Sequence, residues 1–250
     1  MSIERRQFPQ FFITKPSPCP YLPDQQERKV FTHLVGNDAH HLHDMLSVGG
    51  FRRSQNIAYR PACKDCTSCV SVRVPVDKFH WTKNFTRTCR RNADVVSQFA
   101  EAKTAAEHYS LFADYIDSRH QTGGMAEMTV LDFSSMVDES TVKTNLIEYR
   151  LRPKAPLAKP DTQQGQLVGV ALTDTLSDGL SMIYSFFDPA LDKRSLGTFM
   201  ILDHIIKAQK LGLPYVYLGF WVDGSRKMAY KARFLPQERL SEDGWETTLS

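Results

Sequence analysis

Along the second half of the chain the spacing of apolar residues changes several times, and each change predicts an element. Val96, Phe99, Ala102, Ala106, Tyr109, Phe112, Ala113 and Ile116 recur at three- and four-residue steps, which predicts a helix over 93–119. Gln121-Thr122-Gly123-Gly124 ends it, and 129–137 reads as a short second helix. Residues 144–151 read as a strand. The stretch 152–166 carries Pro153, Pro156, Pro160 and Gly165, and reads as a mobile surface loop. Leu167–Leu172 and Leu180–Phe187 read as strands joined by a turn at Ser177-Asp178-Gly179. Leu196–Lys210 has helical spacing with Gly212 close behind it, and Tyr215–Trp221 reads as a buried strand. Strands, then a helix, then a strand predict an α/β or α+β domain.

The first 95 residues differ. They are rich in Pro, Gly, Cys and Arg, with only short runs of strand character. Ser71-Val72-Arg73-Val74-Pro75-Val76 alternates as a half-buried strand does, and its Pro places it near a sheet edge. The expected organisation is therefore a small Cys-containing domain over 1–95 and a larger one over 96–250. At 250 residues and 42% hydrophobic content, the chain can bury a sizeable core, and wholesale disorder is excluded. The charged start, Met1 to Arg6, is not followed by an apolar h-region, and Phe11-Phe12-Ile13 is too short for an anchor. No stretch approaches the roughly 20 apolar residues of a membrane helix, so a cytoplasmic protein with no membrane partner is expected. Five cysteines, an odd number, do not suggest a secreted disulfide framework.

The net charge of +3 says little, but its distribution is informative. Between Arg52 and Arg91 ten basic residues face only Asp65 and Asp77, so the rest of the chain is mildly acidic. Such a segment suits a polyanion, with a solvated basic face as the plain alternative. Arg87, Arg90 and Arg91 are its densest part.

Cys63-Lys64-Asp65-Cys66-Thr67-Ser68-Cys69 is the sharpest local motif. Two-residue spacing lets thiolates converge on one soft metal, with Cys19 as a possible fourth ligand, so zinc or an iron–sulfur cluster is one reading. The other is a metal-free cluster, structural or redox-labile. Cys89 lies in a basic stretch expected to lower its pKa. His33, His40, His41 and His43 cluster without a zincin motif and read as a polar helix face. Arg194-Ser195-Leu196-Gly197-Thr198-Phe199 sits between a strand and a helix, where an R/Q-x-x-G-x-G/A loop would cradle a coenzyme pyrophosphate. Phe199 stands where that loop needs a small residue, so an acyl-CoA site is expected to be lost while the topology persists.

Several motifs together go further. Cys19-Pro20-Tyr21-Leu22-Pro23, Gly50-Phe51-Arg52-Arg53-Ser54, Tyr59-Arg60-Pro61-Ala62-Cys63 and Arg90-Arg91-Asn92 resemble the N-terminal domain of arginyl/leucyl-tRNA–protein transferases. Tyr184-Ser185-Phe186-Phe187-Asp188-Pro189, Leu213 to Trp221 and Met228-Ala229-Tyr230-Lys231-Ala232-Arg233-Phe234 resemble the C-terminal domain of the same family. The likeness spans nearly the whole chain. Its compact length is similar to the bacterial branch, the aspartate/glutamate leucyltransferases. The chain departs from the eukaryotic members at Cys19-Pro20-Tyr21-Leu22, where those have Cys-Gly-Tyr-Cys.

The resemblance implies a GNAT-like acyltransferase domain and transfer of leucine from leucyl-tRNA to the α-amine of proteins beginning with Asp or Glu, marking them for N-degron degradation. Arginine is the alternative donor group, and a non-catalytic RNA-binding module the alternative function. No cofactor is required for the chemistry. Asp188, Lys231 and Tyr230 are the catalytic candidates. An acidic side chain calls for a fixed cation, for which Arg52, Arg53 and Arg60 are candidates. Tyr184, Tyr217 and Trp221 are candidates to line the pocket for the leucyl group or the terminal adenosine. Arg87, Arg90 and Arg91 would contact tRNA, and Cys19, Cys63, Cys66 and Cys69 form the metal candidate set.

Overall fold

The computed structural model describes residues 9–119, 125–153 and 165–249. Its frame is an eight-stranded mixed sheet built from β7 (Cys69–Pro75), β8 (Val95–Glu101), β9 (Thr144–Leu151), β10 (Leu167–Thr175), β11 (Gly179–Phe187), β12 (Tyr215–Val222), β13 (Gln237–Ser241) and β14 (Gly244–Thr248). Their order is β14-β13-β7-β12-β11-β10-β9-β8. β11 and β12 run parallel, joined by the crossover helix α5 (Leu196–Lys210). The other neighbours in this sheet are antiparallel.

Alternation along the strands supplies two faces. On β9, Ile147 and Tyr149 join the core beneath α5, while Leu146 packs on the opposite face against α3 (Ala106–Arg119) and α4 (Val130–Asp138). β10 is buried along nearly its whole length, as a central strand covered on both sides should be. Thr129 starts α4 with a reciprocal capping box to Asp132. Phe199 of α5 lies in the core with its ring 6.0 Å from Tyr149.

The early chain forms a second sheet from β1 (Phe12–Ile13), β4 (Lys29–His33), β5 (Arg52–Ser54) and β6 (Ile57–Pro61), in the order β1-β4-β6-β5. Helix α1 (Ala39–Val48) lies beside it, and a two-stranded ribbon pairs β2 (Ser17–Pro18) with β3 (Gln26–Glu27). After α2 (Lys83–Arg91) the chain enters the edge strand β8. β7, from within the first 95 residues, lies between β12 and β13 of the large sheet.

Two expectations need correction. Residues 93–105 are not helical: β8 pairs with β9 from Val95↔Leu151 to Glu101↔Asn145. Its odd positions turn toward α5, where Ser97 Oγ donates to Asp203 at 2.9 Å and the Lys207 ammonium lies 5.2 Å from the Phe99 ring centre. The three-residue spacing of Val96 and Phe99 coincided with a helical step, but pairing with β9 determined the conformation. The histidines are not all on a polar face either. His43 is buried with Nε2 3.4 Å from Asp174, and burial depresses its pKa. The expected stop at 121–124, and most of the expected loop at 152–166, lie outside the described residues.

The two sheets are joined by an ion pair. Arg53 of β5 donates from Nε and Nη2 to both carboxylate oxygens of Asp174 in β10, at 2.6 and 2.7 Å, and Thr144 donates to Asp174 at 2.7 Å. Both ionic side chains are almost fully buried. Removing one partner strands a charge away from water. Asp174→Ala is expected to lower unfolding stability by about 3–5 kcal/mol, measured by denaturant titration, and an apolar replacement of both residues should cost less.

Candidate active site

β11 and β12 pair only from Gly179↔Tyr215 to Ser181↔Tyr217. Beyond that point each stays paired on its outer side, β11 with β10 and β12 with β7, so the two strands part. A bulge at Leu218 marks the separation on β12, and Gly219 follows with φ +74°. Arg52 enters the gap from β5. Its Nη1 donates to Leu218 O at 3.2 Å, and its Nη2 donates to Met182 O and Ile183 O at 3.1 and 2.5 Å.

The gap opens into a cleft of about 910 Å³. Arg52, Tyr184, Tyr230 and Lys231 all line it. Lys231 sits in the 3₁₀ turn Ala229–Arg233, almost fully buried, and its Nζ donates to Phe220 O at 2.6 Å. Burial pushes its pKa well below the ordinary lysine range, and the nearby Arg52 guanidinium adds to the effect. Burial also pushes the Tyr184 hydroxyl up, so it stays protonated. The opposite wall is the start of α5, where Ser195 adopts a left-handed backbone, and Leu196, Gly197 and Thr198 face the cleft. A methyl on Gly197 would fall 3.0 Å from the Phe187 ring, so glycine lets the helix start lie against β11. Arg233 reaches Thr198 Oγ1 at 3.4 Å from across the cleft mouth.

Other candidates lie elsewhere. Arg53 also borders the cleft, but its guanidinium is engaged by Asp174 and it is not free to bind an acidic substrate. Arg60 is exposed on β6, its guanidinium carbon 5.4 Å from the Phe51 ring centre, and does not line the cleft. Tyr217 is buried outside it, donating to Asp178 at 2.8 Å and accepting from Arg73 at 3.0 Å. Trp221 stacks under Arg239 at 4.0 Å, also outside it. Asp188 is absent from the lining as well. Its carboxylate caps the 3₁₀ turn Pro189–Arg194 by accepting from Ala190 N at 2.9 Å, the structural role an Asp-Pro step favours. The cleft has cations that sequence reasoning did not single out: Arg119, Lys227 and Arg233. Lys227 and Arg233 flank Tyr230-Lys231, and that proximity was the available signal. Arg119 carries none.

Cys19, Cys63, Cys66 and Cys69 line a second cavity of about 40 Å³, which shares Tyr21, Tyr59 and Phe220 with the cleft. Four thiols are suitable donors for a soft metal. Yet among the described residues no three His, Cys, Asp or Glu side chains are arranged to hold an ion. The thiols differ in character. Burial, then the neighbouring thiols, push Cys69 up to about 11, whereas hydrogen bonding to Ser68 draws Cys66 down. Cys89 is raised by burial and by Asp203, opposite to the expectation from its basic neighbours. On α2, Arg87, Arg90 and Arg91 are exposed, Arg91 donating to Lys193 O.

Two family models match the chain: the N terminus of arginine-tRNA-protein transferase over residues 17–87 and its C terminus over residues 107–241. The solved structure of FemX superposes on 87% of this chain and 70% of its own with a TM-score of 0.52 at 12% identity, a likeness of fold. The parted parallel strands, the crossover helix and the cleft between them form a GNAT-like fold, and the family models place the chain in the class that transfers aminoacyl groups from tRNA to protein. The chain belongs to the arginine-tRNA-protein transferase family. It is 61% identical to the aspartate/glutamate leucyltransferase of Nitrobacter hamburgensis over 98% of this chain and 94% of that one. Identity to the enzyme of the same name is 60% in Nitrobacter winogradskyi, with the same coverage, and 58% in a Bradyrhizobium species, again over 98% and 94%.

Two measurements test these assignments. A brief alkylation pulse at neutral pH, mapped by peptide mass, should modify Cys66 first and Cys69 last, since the thiolate is the reactive form; equal labelling would contradict the arrangement. Replacing Arg87, Arg90 and Arg91 together should reduce the salt slope of tRNA binding by roughly 0.7–0.9 per lost phosphate contact.

Proposed function

We propose that this chain transfers leucine from leucyl-tRNA to the free α-amine of proteins beginning with Asp or Glu, in the cytoplasm, and so marks them for degradation. One observation carries the reading. Among the described residues lining the cleft the single carboxylate is Asp192, whereas Arg52, Arg119, Lys227 and Arg233 bring positive charge; Arg53 is neutralised by Asp174, and burial disfavours the charge of Lys231. Met125, Met136, Leu172, Met182 and Ile183 make up much of the remaining wall. An arginyl group would call for carboxylates, and a leucyl group calls for this apolar wall. An acceptor that begins with an acidic residue suits the cations.

The reaction asks little of the protein beyond positioning. The ester is already activated, and an α-amine with an unperturbed pKa of about 7.7–8.0 is close to deprotonation at neutral pH. The amine nitrogen attacks the ester carbonyl, the carbon–oxygen bond to the ribose breaks, and the proton leaving the amine ends on the ribose hydroxyl. Lys231, its charge disfavoured by burial, is the candidate to accept that proton and return it, and Tyr230 stands beside it at the mouth. The chemistry draws on no cofactor. Arg119, Lys227 and Arg233 are the candidates to hold the acceptor carboxylate or the tRNA 3′ phosphates.

The test is a transfer assay with a panel of charged tRNAs and N-terminal peptides. Mass should rise by leucine on peptides beginning with Asp or Glu. A rise by arginine alone would reverse the donor assignment, and equal use of peptides beginning with Lys would remove the acidic preference.

A further inference from the structure

We propose that Arg52 is a positioning residue for aminoacyl transfer: paired with Gly219, it acts as the spacer that holds β11 and β12 apart at the width the aminoacyl end requires. The inference rests on the cleft being the transfer site.

Where the ladder between β11 and β12 ends, the facing carbonyls of the two strands lose their inter-strand donors. Leu218 O on β12 and Met182 O and Ile183 O on β11 converge instead on one guanidinium. Arginine suits this task because its donors form a rigid fork that reaches both sides at once. A lysine would present a single nitrogen, and no uncharged side chain spans three carbonyls so. The spacer comes from outside the sheet, on β5, so the separation of the strands is set by a different part of the chain.

Gly219 is the complementary half. Its φ of +74° suits glycine, and a methyl built there would fall 1.4 Å from Nη1 of Arg52. No adjustment of Arg52 in place relieves such an overlap. Any side chain at 219 must displace the guanidinium from the gap. One residue further on, Phe220 O accepts from Lys231 Nζ, so displacement of this segment would also move the anchor of that buried amine. Arg52 and Lys231 together fix the carbonyls of β12 just beyond its bulge.

The experiment uses the full chain and measures leucyl transfer with separate kcat and KM for the acceptor peptide. Arg52→Gly is expected to lower kcat by about ten- to a hundredfold with little change in peptide KM, since misplacement rather than lost substrate contact is the defect. Methylguanidinium added to that variant should restore part of kcat, and methylammonium should not. Arg52→Lys should remain well below wild type, because one nitrogen cannot bridge both strands. Gly219→Ala should reproduce the loss, and adding it to Arg52→Gly should cost less than it does in the wild type, what remains being the backbone strain of a side chain at φ +74°.

Wild-type kcat in Arg52→Lys would overturn the proposal, as would fully multiplicative losses in the double variant. If Arg52→Gly is recovered only as unfolded protein, Arg52→Lys, which keeps the charge and the stem, decides the matter on its kcat. A wild-type chain that transfers no aminoacyl group to any peptide would refute the transfer site itself. Active wild type with unaffected variants would refute only the spacer.

Discussion

The ion pair between Arg53 and Asp174 governs where everything near the cleft can lie. It is bidentate, nearly dry, and joins a three-residue strand of the small sheet to the end of a central strand of the large one. β5 is too short to fix its own position by pairing. The buried pair fixes it, because a guanidinium sealed from water tolerates no other location for its carboxylate. Neighbouring side chains on a strand point to opposite sides. With Arg53 held toward Asp174, Arg52 is directed toward the gap between β11 and β12. Two adjacent arginines of the same chemical type therefore do different work, one as a fastener and one as a spacer.

The same contrast shows what the sequence made legible. α5 and β9 matched their apolar patterns residue for residue, because long buried elements carry strong periodicity. β8 did not: it is a short edge strand whose Val96 and Phe99 stay substantially exposed, so no one-sided pattern marks it. The cysteines were read as converging, and they do share a cavity. Tyr230 and Lys231 were found through a motif, and both line the cleft. Arg53 and Tyr217 were placed at the substrate because they sat in recognisable motifs, yet their partners, Asp174 and Asp178, lie 121 and 39 residues away. Nothing local signals such pairings, and burial beside a distant carboxylate removed both side chains from candidate binding roles.

Phe199 shows how one helix start serves both the core and the cleft wall. The helix start lies close against the strand before it, with Ser195 turned left-handed and Gly197 pressed against Phe187. The ring of Phe199 points inward, packs on Tyr149 and does not line the cleft, so it does not block the helix start as its place in the sequence suggested.

A lining that, among the described residues, sets Arg52, Arg119, Lys227 and Arg233 against one carboxylate, Asp192, has an effect on the history of each acceptor chain. If that lining selects a first residue with a carboxylate, the product no longer qualifies once leucine has been added. Its new first residue is apolar, and its acidic residue now lies one position further from the reactive amine. Each polypeptide would then be extended once and released. The cleft needs no ruler and no separate termination step, because the reaction itself removes the feature by which the substrate was chosen.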